Sequence, residues 1–143
     1  MATIHRESFT LALPFIPTLH TADEDLAFFT AAAESQQTVV ATAEGKSQDI
    51  SGFAMWTPGW VNHLYVAPPF QRRGVGTALL AVIRKWHVTN GLDVIDLWTF
   101  QRNTPARRFY QHQGFVPAEF TDGSTNEERE PDIRFRWQRV AGS

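Results

Sequence analysis

The stretch that decides the fold is Val66-Ala67-Pro68-Pro69-Phe70-Gln71-Arg72-Arg73-Gly74-Val75-Gly76-Thr77-Ala78-Leu79-Leu80. An apolar run ends in two prolines, two arginines follow, and an amphipathic segment begins across two glycines, which predicts a strand, a loop and a helix N-terminus. The first N–H groups of a helix have no intrahelical partners and its dipole is positive there, so such a terminus binds anions. Gly74 and Gly76 lack the Cβ atoms that would hold a phosphate away from the backbone. The stretch therefore predicts a site for a phosphate-bearing ligand.

Length and composition are those of one ordinary globular domain. The chain has 143 residues, of which 43% are hydrophobic and 20% are charged, so we expect a single domain over residues 1–143. No apolar run approaches the roughly 20 residues that cross a bilayer, and we expect no signal peptide. Cysteine is absent, which excludes disulfides, thiolate metal ligands and a cysteine nucleophile. A cytoplasmic protein that binds neither a membrane nor a metal is expected.

The net charge of −2 conceals a difference between the two halves of the chain. Residues 1–70 carry two basic and seven acidic side chains, whereas residues 71–143 carry eleven basic and eight acidic ones. The positive excess is too local and too weak overall for a nucleic-acid-binding surface. It suits a small polyanionic ligand near the glycine turn.

The order of the predicted elements gives the fold class. Periodicity and turn residues predict strands at 2–8, 37–44, 49–56, 60–66, 93–99, 115–121 and 133–139. Helices are predicted over 22–34, 75–88 and 105–113. Thr104 is the predicted N-cap of the last helix, because Pro105 follows it. A strand meander followed by alternating helices and strands predicts an α/β fold, a single sheet with helices on its faces.

Three motifs occur in order along the chain. They are Leu64-Tyr65-Val66-Ala67-Pro68, then Gln71-Arg72-Arg73-Gly74-Val75-Gly76, then Asn103 followed seven residues later by Tyr110 and next by Gly114-Phe115. Together they resemble the motifs of GNAT-type N-acetyltransferases, which bind acetyl-coenzyme A, over about residues 60–115. The resemblance implies the acyl-CoA N-acyltransferase fold, a mixed, mostly antiparallel sheet of about six to seven strands flanked by helices. It also implies transfer of an acetyl group from acetyl-coenzyme A to a primary amine.

The resemblance further implies a role for each matching residue. The pantetheine arm would pair, between two splayed strands, with the backbone groups of Leu64, Tyr65 and Val66. The side-chain amide of Asn103 would also hold this arm. The pyrophosphate would be bound by the backbone amides that follow the strand, those of Arg72, Arg73, Gly74, Val75, Gly76 and Thr77. Tyr110 would be the general acid, because a phenol with a pKa of about 10 can protonate a departing thiolate. A core aromatic beside Phe109 is the alternative interpretation of Tyr110.

The group that takes the amine proton has three candidates. Several relatives have a glutamate on the strand before the glycine signature, where this chain has Asn62 and His63. Asn62 can orient a water, whereas His63 can accept a proton near neutral pH. Strand alternation puts the two on opposite faces, and a structural role for His63 is the alternative. Proton transfer through water to solvent is the third route.

The acidic loop, residues 122–131, is the other unusual segment. It carries four carboxylates, those of Asp122, Glu127, Glu128 and Glu130. One interpretation of this segment is a solvated turn without a functional role. In the resembled fold, however, the connection between the last two strands often borders the acceptor site, and negative charge there would attract a cationic amine.

Two other functions stay open at the level of sequence. A non-catalytic acyl-coenzyme A-binding or regulatory module is favoured by the missing carboxylate at Asn62. A nucleotide-binding protein would use the glycine turn, although no Gly-Lys-Ser/Thr sequence follows it. The expected partner is a small-molecule or peptide amine, and a homodimer is compatible because dimers are common in the resembled family.

Overall fold

The computed structural model of the protein describes residues 35–42 and 50–140. Their strands are β1 (Gln37–Thr42), β2 (Ile50–Thr57), β3 (Trp60–Val66), β4 (Val94–Phe100), β5 (Val116–Phe120) and β6 (Asp132–Gln138). Their helices are α1 (Val75–Thr89), α2 (Thr104–His112) and a short 3₁₀ turn, Pro68–Phe70. The strand predicted at 2–8 and the helix predicted at 22–34 lie outside the described residues.

The six strands form one sheet in the order β1-β2-β3-β4-β6-β5. β3 and β4 are parallel, and the other four neighbouring pairs are antiparallel. This confirms the predicted α/β class with a mixed, mostly antiparallel sheet flanked by helices. The strands and helices begin and end within one or two residues of their predicted positions, because glycine, proline and asparagine turns separate them.

β3 and β4 separate soon after they begin. They share a single register pair, Trp60 with Asp96. At this pair the N–H of Asp96 donates to the carbonyl of Gly59, the residue before Trp60, at 2.8 Å. Beyond this point β3 stays paired with β2 as far as Val66, and β4 stays paired with β6 as far as Phe100. The two parallel strands therefore leave a gap in the middle of the sheet, as the resemblance implies.

The core lies between one face of the sheet and the two helices. Its buried residues include Ala54, Trp56, Leu79, Leu80, Ile83, Ile95, Leu97, Tyr110, Phe115, Ile133 and Phe135. Gly76 lets α1 approach α2 closely, because a Cβ there would lie 3.2 Å from Cζ of Phe109. No helix in the described part of the chain is long and apolar enough to cross a membrane.

A buried histidine of α1 fixes the turn between β2 and β3. Nδ1 of His87 is 2.8 Å from the carbonyl oxygen of Ile83, and Nε2 accepts from the N–H of Gly59 at 3.0 Å. Both bonds form together only in the neutral ring with its proton on Nδ1. Since the carbonyl of Gly59 also accepts from Asp96, His87 helps to fix the point from which β3 and β4 diverge.

An ion-pair cluster holds β4 to β6 on the opposite face. Asp96 alternates with Ile95 and Leu97 and so points away from the helices. Arg136 donates to both of its carboxylate oxygens, at 2.8 and 3.0 Å, and Arg134 donates at 2.9 Å. The hydrogen bond from Arg136, with the positive charge of both arginines, lowers the pKa of the Asp96 carboxyl. The cluster stabilises the sheet at the point where the gap begins.

Candidate active site

The turn between β3 and α1 ends in an uncapped helix N-terminus. Gly74, the N-cap of α1, is left-handed (φ 81°), makes no side-chain capping bond, and no acidic residue occupies the first helical turn. A Cβ added to Gly74 would meet no atom within 4 Å, so its backbone borders open space. The next N–H groups, from Val75, Gly76 and Thr77, begin the helix without a capping side chain. This arrangement suits an anion such as a pyrophosphate.

Side chains join this turn to the end of β3 and add positive charge. Nε2 of Gln71 donates to the carbonyl of Val66 at 3.1 Å. Arg72 and Arg73 are exposed, and the guanidinium of Arg73 lies 6.0 Å from the centre of the Phe70 ring. The turn therefore carries two exposed cations next to a row of backbone donors.

The backbone direction of β3 decides which residues face the gap. The N–H of Ala67 donates to the carbonyl of Ser51 in β2 at 2.8 Å. Because backbone groups alternate along a strand, those of Tyr65 also point toward β2, whereas those of Leu64 and Val66 point toward β4. Of the three strand residues predicted to pair with pantetheine, Leu64 and Val66 turn their backbone to the gap. The side chain of Tyr65 packs beside the ring of Phe53 in β2.

Asn103 caps α2 across the gap. Its Oδ1 accepts from the N–H of Ala106 at 3.3 Å, so the N-cap is Asn103 rather than Thr104 as predicted. An asparagine carbonyl reaches the N–H three residues later, and Thr104 already has helical geometry. The cap uses Oδ1 and does not involve Nδ2, which is the donor that a pantetheine carbonyl would need.

Tyr110 of α2 is buried among aromatic rings. It is 8% exposed, and its ring centre lies 5.2 Å from that of Phe109, 5.7 Å from Phe115 and 6.4 Å from Phe135. Burial, and to a smaller extent the nearby phenol of Tyr65, raises the pKa of Tyr110. The phenol is therefore protonated at neutral pH and can donate to a developing anion.

The ring of Tyr65 packs against the buried cluster of Phe53, Met55 and Ala67, which is separate from the cluster that contains Tyr110. It lies beside the rings of Phe53 and His63, at centre distances of 5.6 and 6.2 Å. Burial, and then the negative charge of Glu128, raises the pKa of Tyr65 to about 12.

The two residues predicted to handle the amine proton are separated. Asn62 is exposed, and its Nδ2 donates to Oε1 of Gln36 at 2.9 Å and to Oγ1 of Thr57 at 3.1 Å. His63 is partly buried and lies next to Tyr65. The structure thus puts His63 beside Tyr65, whereas Asn62 is bonded to Gln36 and Thr57.

The acidic loop is held in one shape and joined to the end of β4. Nδ2 of Asn126 donates to the carbonyl of Glu130 at 2.6 Å, and the N–H of Glu130 donates back to Oδ1 of Asn126 at 3.1 Å. A Cβ on Gly123 would lie 2.3 Å from the backbone of Glu130, so only glycine fits there. The N–H of Gln101 donates to the carbonyl of Pro131 at 2.9 Å. The loop therefore lies against the segment that leads to Asn103.

The carboxylates of the acidic loop have different surroundings. Glu130 is buried and pairs with Nε of Arg102 at 2.7 Å. Asp122 accepts from the N–H of Ser124 at 2.9 Å, which lowers its pKa. Glu127 is exposed, whereas Glu128 is partly buried and close enough to Tyr65 for its charge to act on that phenol. The structure thus separates four similar residues into different environments.

Comparison with known proteins gives one family and two partial relatives. The Acetyltransferase (GNAT) family model matches residues 2–115. The chain is 32% identical over 63 residues to an uncharacterized N-acetyltransferase of Methanocaldococcus jannaschii, covering 44% of this chain and 28% of that protein. It is 42% identical over 52 residues to the peptidyl-lysine N-acetyltransferase YiaC of Escherichia coli, covering 36% and 32%. These matches span about a third of the length of the curated relatives.

Solved structures share the fold over most of the chain. A GCN5-related N-acetyltransferase from Rhodopseudomonas palustris has a TM-score of 0.79 at 24% identity, covering 96% of this chain and 86% of that one. The PaiA N-acetyltransferase of Thermoplasma acidophilum, solved in complex with coenzyme A, has a TM-score of 0.71 at 18% identity, covering 96% and 89%. At these identities the likeness shows the fold alone.

Proposed function

Because the chain belongs to the GNAT acetyltransferase family, we propose that it transfers an acetyl group from acetyl-coenzyme A to a primary amine by direct attack within a ternary complex. The observation that carries this proposal is the gap between β3 and β4, with the uncapped N-terminus of α1 beside it. The absence of cysteine agrees with direct attack, since no thiol in the chain can carry an acetyl intermediate.

Donor binding would rely on backbone groups on both sides of the turn. The N–H groups from Arg72 to Thr77 would bind the pyrophosphate, where Gly74 leaves open space. The pantetheine arm would lie along the gap-facing backbone of Leu64 and Val66. Nδ2 of Asn103 would donate to one of its carbonyls. The α2 cap uses Oδ1 of Asn103 and not Nδ2, which supports the last of these roles.

Tyr110 would assist departure of the thiolate. The amine lone pair forms a bond to the thioester carbonyl carbon, the carbon–sulfur bond breaks, and sulfur leaves with the electron pair. The hydroxyl of Tyr110 donates its proton to sulfur, and the resulting phenolate recovers a proton from the nitrogen that has become an amide. Because its raised pKa keeps the phenol protonated, the acid is present throughout the neutral range. The remaining rate enhancement would come from holding the amine and the thioester in the geometry required for attack.

Thiol release from acetyl-coenzyme A tests the function. The amine panel comprises alkyl diamines, amino acids, aminoglycosides and lysine peptides. We expect release with at least one of them, and an acetylated product of matching mass. Binding of acetyl-coenzyme A without release for any amine would contradict the proposal and favour a non-catalytic acyl-coenzyme A-binding module. Coenzyme A, but not ATP, should raise Tm; the reverse would favour a nucleotide-binding protein.

A further inference from the structure

Gln113, the C-cap of α2, is bonded to one face of α1 at two levels. Its Nε2 donates to Oγ1 of Thr77 at 3.1 Å, and its Oε1 accepts from Nη1 of Arg84 at 3.4 Å. Nη2 of Arg84 also donates to the backbone carbonyl of Gln113. Thr77 and Arg84 are seven residues apart, about two helical turns, and so lie on the same face of α1. Gln113 therefore links the first turn of α1 to the helix that carries Tyr110.

The neighbours of the Gln113 amide determine its orientation. Arginine has N–H donors and no acceptor, so the amide oxygen faces Arg84 and the amide NH₂ group faces Thr77. The guanidinium of Arg84 lies 5.7 Å from the centre of the Phe115 ring and 5.4 Å from that of the Trp137 ring. These two rings hold the guanidinium in place. The amide of Gln113 consequently donates to Thr77 in one fixed direction.

Thr77 lies in the part of α1 that would bind the pyrophosphate. Intrahelical bonding begins with the N–H of Ala78, which donates to the carbonyl of Gly74 at 3.0 Å. Thr77 is thus the last residue of the first turn, whose N–H groups precede the intrahelical bonds. Gly74 and Gly76 belong to the same turn, and glycine weakens a helix because its backbone loses more entropy on ordering. A helix end of this composition frays unless a group outside the turn holds it.

A capping side chain would hold this turn at the expense of its anion-binding donors. Such a side chain accepts from the N–H of the second or third helical residue, and it would therefore compete with a phosphate. Gly74, at the N-cap, makes no side-chain capping bond. The bond from Gln113 reaches the hydroxyl of Thr77 instead. It holds the turn from outside and leaves the backbone N–H groups available.

We infer that Gln113 is a positioning residue for the acetyl donor. Through Thr77, it holds the first turn of α1 in the geometry that binds the pyrophosphate of acetyl-coenzyme A. The inference rests on the acetyl transfer proposed above. Because Gln113 acts on the pyrophosphate end of the donor, its loss should weaken donor binding and leave the chemical step unchanged.

The experiment compares Gln113→Leu and Thr77→Val with a matched control. Gln113→Leu removes the amide at similar volume and keeps the bond from Arg84 to the backbone carbonyl. Thr77→Val removes the hydroxyl and keeps the backbone N–H. Gln111→Leu, the control, makes the same change at an exposed residue of α2.

The two test variants should lose the same interaction. We expect Gln113→Leu and Thr77→Val each to raise the KM for acetyl-coenzyme A about fivefold, with kcat within about twofold of the wild type. Gln111→Leu should leave both constants within about twofold. The double variant Q113L/T77V should resemble either single variant, because both substitutions remove one hydrogen bond. Unchanged KM values in both single variants, or effects that multiply in the double variant, would overturn the inference.

A shorter donor separates positioning of the turn from a general structural role. S-acetylpantetheine has the thioester and the pantetheine arm but no phosphate. Gln113→Leu should lower kcat/KM for acetyl-coenzyme A about fivefold and change kcat/KM for S-acetylpantetheine less than twofold. Equal losses with the two donors would mean that Gln113 stabilises the site as a whole, which contradicts the inference.

Calorimetry with coenzyme A keeps the inference separate from the proposed function. The Kd for coenzyme A should rise about fivefold in Gln113→Leu and in Thr77→Val, whether or not the wild type releases thiol. Wild-type binding of coenzyme A with these differences but without thiol release would overturn acetyl transfer alone. A wild type that does not bind coenzyme A would overturn both proposals. If Gln113→Leu does not fold, Thr77→Val decides, and a wild-type Kd in that variant overturns the inference.

Discussion

The turn after β3 and the acidic loop lie at the C-terminal ends of the two parallel strands, but they are built from different groups. The turn presents backbone N–H groups and a left-handed Gly74, with exposed side chains around them. The acidic loop is closed by hydrogen bonds between Asn126 and Glu130 and joined to the end of β4 by a bond from Gln101 to Pro131. The turn is therefore encoded within a dozen consecutive residues, whereas the contact between the acidic loop and β4 exists only after the sheet has formed. Donor and acceptor recognition should respond to different substitutions.

The largest expected effect is at Tyr110, the proposed general acid. Tyr110→Phe should lower kcat about 100-fold, because the phenol that protonates the thiolate is lost while the ring still packs against Phe115 and Phe135. The affinity for coenzyme A should stay within about twofold, as measured by calorimetry. In the wild type, kcat should not fall through ionisation of Tyr110 below about pH 10, because the folded-state pKa is raised. An unchanged kcat in the variant would remove Tyr110 from the mechanism.

The next effect concerns the ion-pair cluster around Asp96, which lies where the gap between β3 and β4 begins. Asp96→Asn should lower the free energy of unfolding by about 2 kcal/mol, since Arg134 and Arg136 lose their charged acceptor at the start of the gap. The pKa of Asp96 is lowered in the folded state, so this stabilisation is present above the unfolded-state value of about 3.9 and is lost as pH falls through the folded-state pKa. Urea unfolding at pH 7 and at acid pH measures both. A variant as stable as the wild type at pH 7 would contradict the role of the cluster.

A smaller effect tests the turn by itself. Gly74→Ala should raise the KM for acetyl-coenzyme A about tenfold, because a left-handed alanine strains the backbone that would face the pyrophosphate. Gly91→Ala is the matched control, since Gly91 also has a positive φ (73°) and open space around it but follows the other end of α1. Both variants should lose similar stability. Equal KM values for the two variants would show that strain, and not the turn, determines the effect.

The smallest expected effect is at the exposed edge of the ion-pair cluster. Glu119 pairs with Arg134 at 3.2 Å, but its side chain is 52% exposed. Glu119→Gln should change the free energy of unfolding by less than about 0.5 kcal/mol, because solvent screens such a pair. A loss equal to that of Asp96→Asn in the same urea measurement would mean that burial does not distinguish the two carboxylates.

The sequence predicted what depends on neighbours along the chain. The glycine turn, the element boundaries and the strand separation follow from local motifs and from the resemblance that they carry. The N-cap was placed one residue late, because Asn103 and Thr104 are both good capping residues and only the backbone geometry distinguishes them. The sequence predicts neither the contact of the Tyr65 ring with Phe53 nor the pairing of Glu130 with Arg102. Those contacts depend on strand order and on the folded shape of the loop, which no local pattern encodes.

Two-substrate kinetics on Gly74→Ala and Tyr110→Phe tests the central claim most directly. The claim is that backbone groups of the turn bind the donor and that Tyr110 protonates the departing thiolate. Gly74→Ala should raise the KM for acetyl-coenzyme A about tenfold and leave kcat within about twofold. Tyr110→Phe should lower kcat about 100-fold and leave the KM for acetyl-coenzyme A within about twofold. Loss of the same kinetic constant in both variants would contradict the account.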